Sequence, residues 1–99
     1  MKRVFISQPM KDKTAEEIKQ ERQQIIDAIV KEYGKDIEII DSYFEGAPAD
    51  ARPLWFLGKS LELLSIADMV FFAPGWGNAR GCKIEHEAAE TYGIRIIHD

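Results

Sequence analysis

The hydrophobic pattern of this chain switches between two periods. Residues 3–7, RVFIS, form a short apolar run with β-branched and aromatic side chains that QPM stops, which predicts a buried strand. Thr14 followed by Glu17 makes a capping box. Ile18, Arg22, Ile25, Ile26, Ile29, Val30 and Tyr33 then recur at helical spacing until Gly34, so a long helix packed on a sheet is expected. IEII at 37–40 reads as a second strand. Residues 41–52, DSYFEGAPADAR, have no regular period; a loop of about twelve residues is uncommon in a small domain and is often functional. Pro53 suits a first helical turn, with Asp50 or Ala51 at its cap, and Leu54, Leu57, Leu61 and Leu64 continue as an apolar stripe to about residue 67. MVFFA at 69–73 predicts a third strand and PGWGNA its exit loop. A third helix follows from about 80 to 92, and IRIIH at 94–98 is a fourth strand.

Strands alternating with helices predict an α/β fold: a small doubly wound, flavodoxin-like parallel sheet of about four strands, order 2-1-3-4, with right-handed crossovers and helices on both faces. One domain is expected over residues 1–99. Ligands of such sheets bind beyond the carboxyl ends of the strands, where the strand order reverses. That rule brings SQPM, which follows the first strand, together with PGWGNARG, which follows the third. The helix starting at the second segment offers free backbone N–H groups to the same crevice.

Composition narrows the possible partners. A chain that is 45% hydrophobic and 30% charged is globular, and its formal charge of −4 supplies no general basic field, which disfavours a duplex nucleic-acid binder but leaves small anions open. The single cysteine, Cys82, excludes an internal disulfide and a cysteine-rich zinc site. No apolar run approaches the roughly 20 residues of a membrane span, and MKR leads straight into a strand without a signal-peptide core, so no membrane association and a cytoplasmic location are expected.

Candidate chemistry gathers in GWGNARGCKIEHEAAETYG, residues 75–93. Arg80 falls in a first helical turn, where a cation is unfavourable by some tenths of a kcal/mol, a cost offset if it and the helix N-terminus share an anion. The alternative is a surface arginine paired with a carboxylate. Trp76, between two glycines, is either a stacking surface for a base or a lid folded onto the core. Glu85 has Gly81 one turn before it and Ala88 and Ala89 one turn after, small neighbours that let the helix approach the sheet while the acid points to the strand ends; the alternative is a dipole partner. His86 and Glu87 turn away toward solvent. HE followed by AA lacks the second histidine of a zinc motif, so no metal is assigned.

FISQPM, the pair Ala67 and Asp68 before the third strand, and the 75–93 segment closely resemble the DUF4406 family of small bacterial and phage proteins, a short member of the nucleoside 2-deoxyribosyltransferase-like superfamily. The resemblance covers nearly the whole chain and is thinnest over 41–52. It implies a glycine, then the catalytic glutamate four residues on, then an alanine four further on: Gly81, Glu85 and Ala89. The glutamate is the implied nucleophile at the anomeric carbon, releasing the base and leaving a glycosyl-enzyme that water or a second base resolves. A carboxylate suits the oxocarbenium-like state of that cleavage. Two positions depart from the pattern: Phe5 stands where many transferases carry a tyrosine that orients the glutamate, and Ala79 where they carry aspartate or serine.

The resemblance thus implies an N-glycosidase or N-glycosyltransferase acting on a small-molecule nucleoside or nucleoside 5'-monophosphate, without a cofactor, and assembled as a homodimer or higher homo-oligomer. Glu85 is the catalytic candidate. Ser7, Gln8 and Met10 would line the base and sugar pocket, Trp76, Asn78, Arg80 and Gly81 would close over it, and Asp41 would meet sugar hydroxyls or cap its own turn. Arg22 either reaches the crevice from the buried face of the first helix or, as the favoured reading, makes a salt bridge with a local glutamate, and Asp68, on the far edge of the sheet, is expected in a structural role. A non-catalytic nucleotide-binding or sensing module of the same fold is the alternative. Tyr43, Trp55 and Phe56 suggest a partner surface, with the last two at a homo-oligomer interface.

Overall fold

In the computed structural model, which describes residues 1–42 and 46–99, the predicted alternation is observed. The strands β1 (Lys2–Ser7), β2 (Ile37–Ile39), β3 (Met69–Phe72) and β4 (Arg95–His98) form one parallel sheet in the order β2-β1-β3-β4. They are joined by the helices α1 (Ala15–Tyr33), α2 (Pro53–Leu64) and α3 (Arg80–Thr91). Tyr43 and its two following residues lie outside the described residues.

The strand pleat divides the core in two. Val4, Ile6, Met69 and Ala73 face α1 through Ile25 and Ile29, whereas Phe5, Val70 and Phe72 face the opposite layer through Leu64 of α2 and Ala89 of α3. Fully burying a side chain of this size contributes about 1.5–3 kcal/mol, so these two clusters dominate the stability of the sheet. The chain leaves β1 toward one face and β3 toward the other. The reversal point between them is therefore fixed by which residues of each strand are apolar.

Local chemistry sets the helix ends. The Thr14 hydroxyl accepts from the Glu17 N–H at 3.1 Å while Glu17 Oε1 accepts from the Thr14 N–H at 2.9 Å, and Gly34, at φ 80°, donates back to the Val30 carbonyl. Two expectations for α2 need correction. Its cap is Arg52, which makes no side-chain cap bond, because a guanidinium carries donors only and cannot accept from the free N–H groups of the first turn. It also stops at Leu64, three residues early: Ile66 bonds to Leu63 and Ala67 to Leu64, tightening the last turn so that the chain can drop into β3.

Asp68 Oδ2 accepts from the Arg3 N–H at 2.8 Å and the Asp68 N–H donates to the Arg3 carbonyl at 2.9 Å, pinning β1 to the approach of β3 at the amino ends. Among the described residues Arg22 is not paired with a glutamate. It sits on the sheet-facing side of α1, and its buried guanidinium reaches strand-end oxygens, donating to the Ile40 carbonyl at 2.8 Å and to Ser42 Oγ at 3.3 Å. Ser42 in turn donates to the Ile6 carbonyl, so the exit of β2 is stapled to the end of β1. Burial lowers the Arg22 pKa, and the Asp41 charge opposes that shift.

Candidate functional site

Strand β1 ends at Ser7, whose side chain follows Phe5 onto the α2–α3 face. Its hydroxyl donates to Glu85 Oε1 at 2.7 Å, an ordinary length for an O–H···O hydrogen bond. Glu85 is brought there by one turn of α3, with Cys82 on the same helical face one turn earlier and Ala89 one turn later against the sheet. Both Ser7 and Glu85 are almost fully buried, at 1% and 6% exposure.

Burial pushes the Glu85 carboxyl up to about 6 from its ordinary 4.5, while Ser7 and, less strongly, Ser60 on α2 draw it down. The order of these effects is the expected one. Removing a carboxylate from water costs several kcal/mol, and one hydrogen bond to a charged group returns about 1.5–3 kcal/mol. The Cys82 thiol is raised by burial, eased by Ser7 and raised again by the Glu85 charge, so it stays protonated beside the carboxylate. Among the described residues no group of three or more His, Cys, Asp or Glu side chains is placed to hold a metal ion, and no helix is long and apolar enough to cross a membrane.

The remaining sequence candidates are distributed unevenly. Gln8 is buried but turns toward α1, where Nε2 donates to the Ile18 carbonyl at 2.8 Å and to Glu21 Oε1 at 2.9 Å; its Oε1 is a buried acceptor with no partner among the described residues. Met10, Asp41, Asn78 and Arg80 are exposed on the segments beyond the strand ends. Among the described residues no carboxylate pairs with Arg80, and no hydrogen bond links these four side chains to Glu85. Gly81 lies at the α2–α3 contact, where an added Cβ would stand 4.0 Å from Leu57 Cδ1, an ordinary contact that leaves room for alanine.

Trp76 takes the second of its two readings. Its ring stacks on His86 at 4.0 Å and tilts against Phe72, and Nε1 donates to the Asp99 carbonyl at 3.1 Å, so the indole packs on the core rather than standing free for a base. His86 is correspondingly not solvent-facing: only 13% of its side chain is exposed, because the β3 exit loop and the segment after β4 close over it. Sequence reasoning did not place Ser60 or Cys82 beside the acid. Cys82 was detectable as the residue three before Glu85; Ser60, a lone hydroxyl beside a leucine stripe, had no local signal.

Phe5 is enclosed in the apolar cluster, so the hydroxyl that orients the glutamate comes from two residues later on the same face of β1, about 7 Å nearer the strand end. No protein-family model, no curated protein and no solved structure matches this chain.

The raised pKa has a consequence for stability. Because the folded value, about 6, exceeds the ordinary 4.5, folding favours the protonated carboxyl: this contribution is complete below about pH 4.5 and is lost as pH rises through 6. Above that range the buried charge costs about 2 kcal/mol. Glu85→Gln is therefore expected to raise the melting temperature at about pH 8 by on the order of 10 °C and to leave it nearly unchanged at about pH 4. Thermal scans of both proteins check this, and a lower melting temperature for the variant at the higher pH would contradict it.

Proposed function

We propose that this chain is an N-glycosidase or N-glycosyltransferase that cleaves the base–sugar bond of a nucleoside or nucleoside 5'-monophosphate, with Glu85 as nucleophile. The observation that carries this reading is the buried carboxylate at the sheet's reversal point, oriented by Ser7 at 2.7 Å and raised to about 6. A carboxylate of that pKa is largely ionised at neutral pH and more basic than an ordinary one. A carboxylate oxygen forms a bond to the anomeric carbon, the carbon–nitrogen bond breaks with its electron pair leaving on the base, and water or a second base displaces the carboxylate from the sugar. The resemblance of FISQPM and the Gly81, Glu85, Ala89 spacing to the nucleoside 2-deoxyribosyltransferase-like superfamily supports the same chemistry.

Arg80, exposed at the start of α3 with no carboxylate partner among the described residues, suits a 5'-phosphate beside a helix N-terminus. The Gln8 amide cannot turn while Nε2 is held twice, so its unpaired Oε1 is a fixed acceptor. The second reading, a nucleotide-binding module without turnover, is favoured by Phe5 and by Ala79, which caps α3 without a side-chain bond.

Chromatography for free base, after incubation with nucleosides, deoxynucleosides and their 5'-monophosphates with and without an acceptor base, separates the two. Release is expected from the wild-type protein, abolished in Glu85→Ala, lowered about tenfold to a hundredfold in Ser7→Ala, and rising with pH to a plateau above about 6. Binding of these ligands without release from any of them would establish the module instead.

We also propose that two copies associate through the outer face of α2. Of this largely apolar helix only Leu64 is buried, while Leu54 is 75% exposed, Phe56 36% and the neighbouring Ile84 of α3 45%. Sedimentation at micromolar concentration is expected to give a dimer that Leu54→Lys dissociates; a monomeric wild-type protein would overturn the proposal.

A further inference from the structure

The His86 ring lies between two carboxylates. Nδ1 is 3.0 Å from Glu90 Oε1, one turn along α3, and Nε2 is 3.2 Å from Asp99 Oδ2, after β4. Its face is covered by Trp76, parallel within 6° at 4.0 Å, and by the tilted ring of Phe72 at 4.7 Å. Among the described residues the charged groups that face it are Glu90 and Asp99, while β3 and the exit loop present two aromatic rings. A neutral imidazole carries one N–H, so it satisfies one carboxylate and turns a lone pair toward the other. The imidazolium donates to both and adds a cation–π attraction to the indole.

The same cluster holds the loop that leads into α3. That loop turns through Trp76–Asn78, where the Asn78 N–H donates to Gly75 and the Ala79 N–H to Trp76, and α3 then begins at Arg80 without a side-chain cap. The indole is its largest anchor. Trp76 is tied to α3 by the His86 stack and to the end of β4 by the Asp99 carbonyl.

We propose that His86 is a proton-dependent latch: as the imidazolium it bridges Glu90 and Asp99 and holds Trp76, and loss of its proton releases the loop that carries Asn78 and leads into Arg80. The latch is closed with the proton on the ring and open with it off, so opening follows the loss of one proton. This inference does not depend on the chemistry of Glu85.

The test uses Trp76 as its own reporter. Trp55→Phe leaves Trp76 as the single tryptophan, and its emission is followed from about pH 5 to about pH 9, the interval around an imidazole's titration. A stacked imidazolium quenches an indole more strongly than the neutral ring, so emission is expected to rise along a single-proton curve. Trp55→Phe with His86→Gln, which keeps a donor but cannot titrate, is expected to show a flat profile. A matching shift of the Trp76 indole N–H resonance with pH in the first protein, absent in the second, reports opening apart from quenching. The proposal is overturned if the transition survives in the His86→Gln protein, or if emission and indole resonance are both flat while His86 is present. Either result is independent of whether any nucleoside is cleaved.

Discussion

One carboxylate closed off from water sets the terms for the upper half of this domain. Glu85 is held on a single face of α3, and the end of β1 supplies a hydroxyl at 2.7 Å that favours its charge. Ser7 can do this because it is the last residue of its strand, paired opposite Phe72, with the pleat turning it to the same side as Phe5. A shift of one residue in that register would send Ser7 into the α1 layer and leave the carboxylate without its main partner. The apolar clusters on the two faces thus fix the site geometry, because they forbid that slip.

The same elements explain which groups gather around the carboxylate. The small residues Gly81 and Ala89 allow α3 to lie close to α2 and to the sheet, bringing Ser60 and Cys82 to the acid. On the other side of the reversal point, Arg22 and Ser42 staple the exit of β2 to β1. That region is therefore rigid where strands and α1 meet, and exposed where Asp41, Met10, Asn78 and Arg80 stand on the connecting segments. Rigid support under exposed polar side chains is the usual arrangement of a binding site in this fold class.

Much of the fold was legible because local and global preferences agree. The capping box at Thr14 and Glu17 starts α1 where the helical period begins, Gly34 ends it, and the short runs RVFIS and MVFFA have the length and branching of buried parallel strands. The end of α2 was misplaced because Ser65, Ile66 and Ala67 continue its composition, while the drop into β3 imposes tighter turns. Glu85 could be picked out from its small neighbours. His86 and Arg22 could not be assigned correctly, since their partners lie on other elements: Asp99 and Trp76 for the histidine, Ile40 and Ser42 for the arginine. Side-chain periodicity reports which face a residue occupies and says nothing of what the chain later folds against it.

The most direct measurement is a carbon-13 NMR titration of the Glu85 side-chain carboxyl in the wild-type protein and in Ser7→Ala. A buried carboxylate oriented by Ser7 predicts a midpoint near 6 in the wild type and a higher one in the variant, because the hydrogen bond that favours the ionised form is gone. A midpoint at the ordinary 4.5, unmoved by the loss of Ser7, would contradict it.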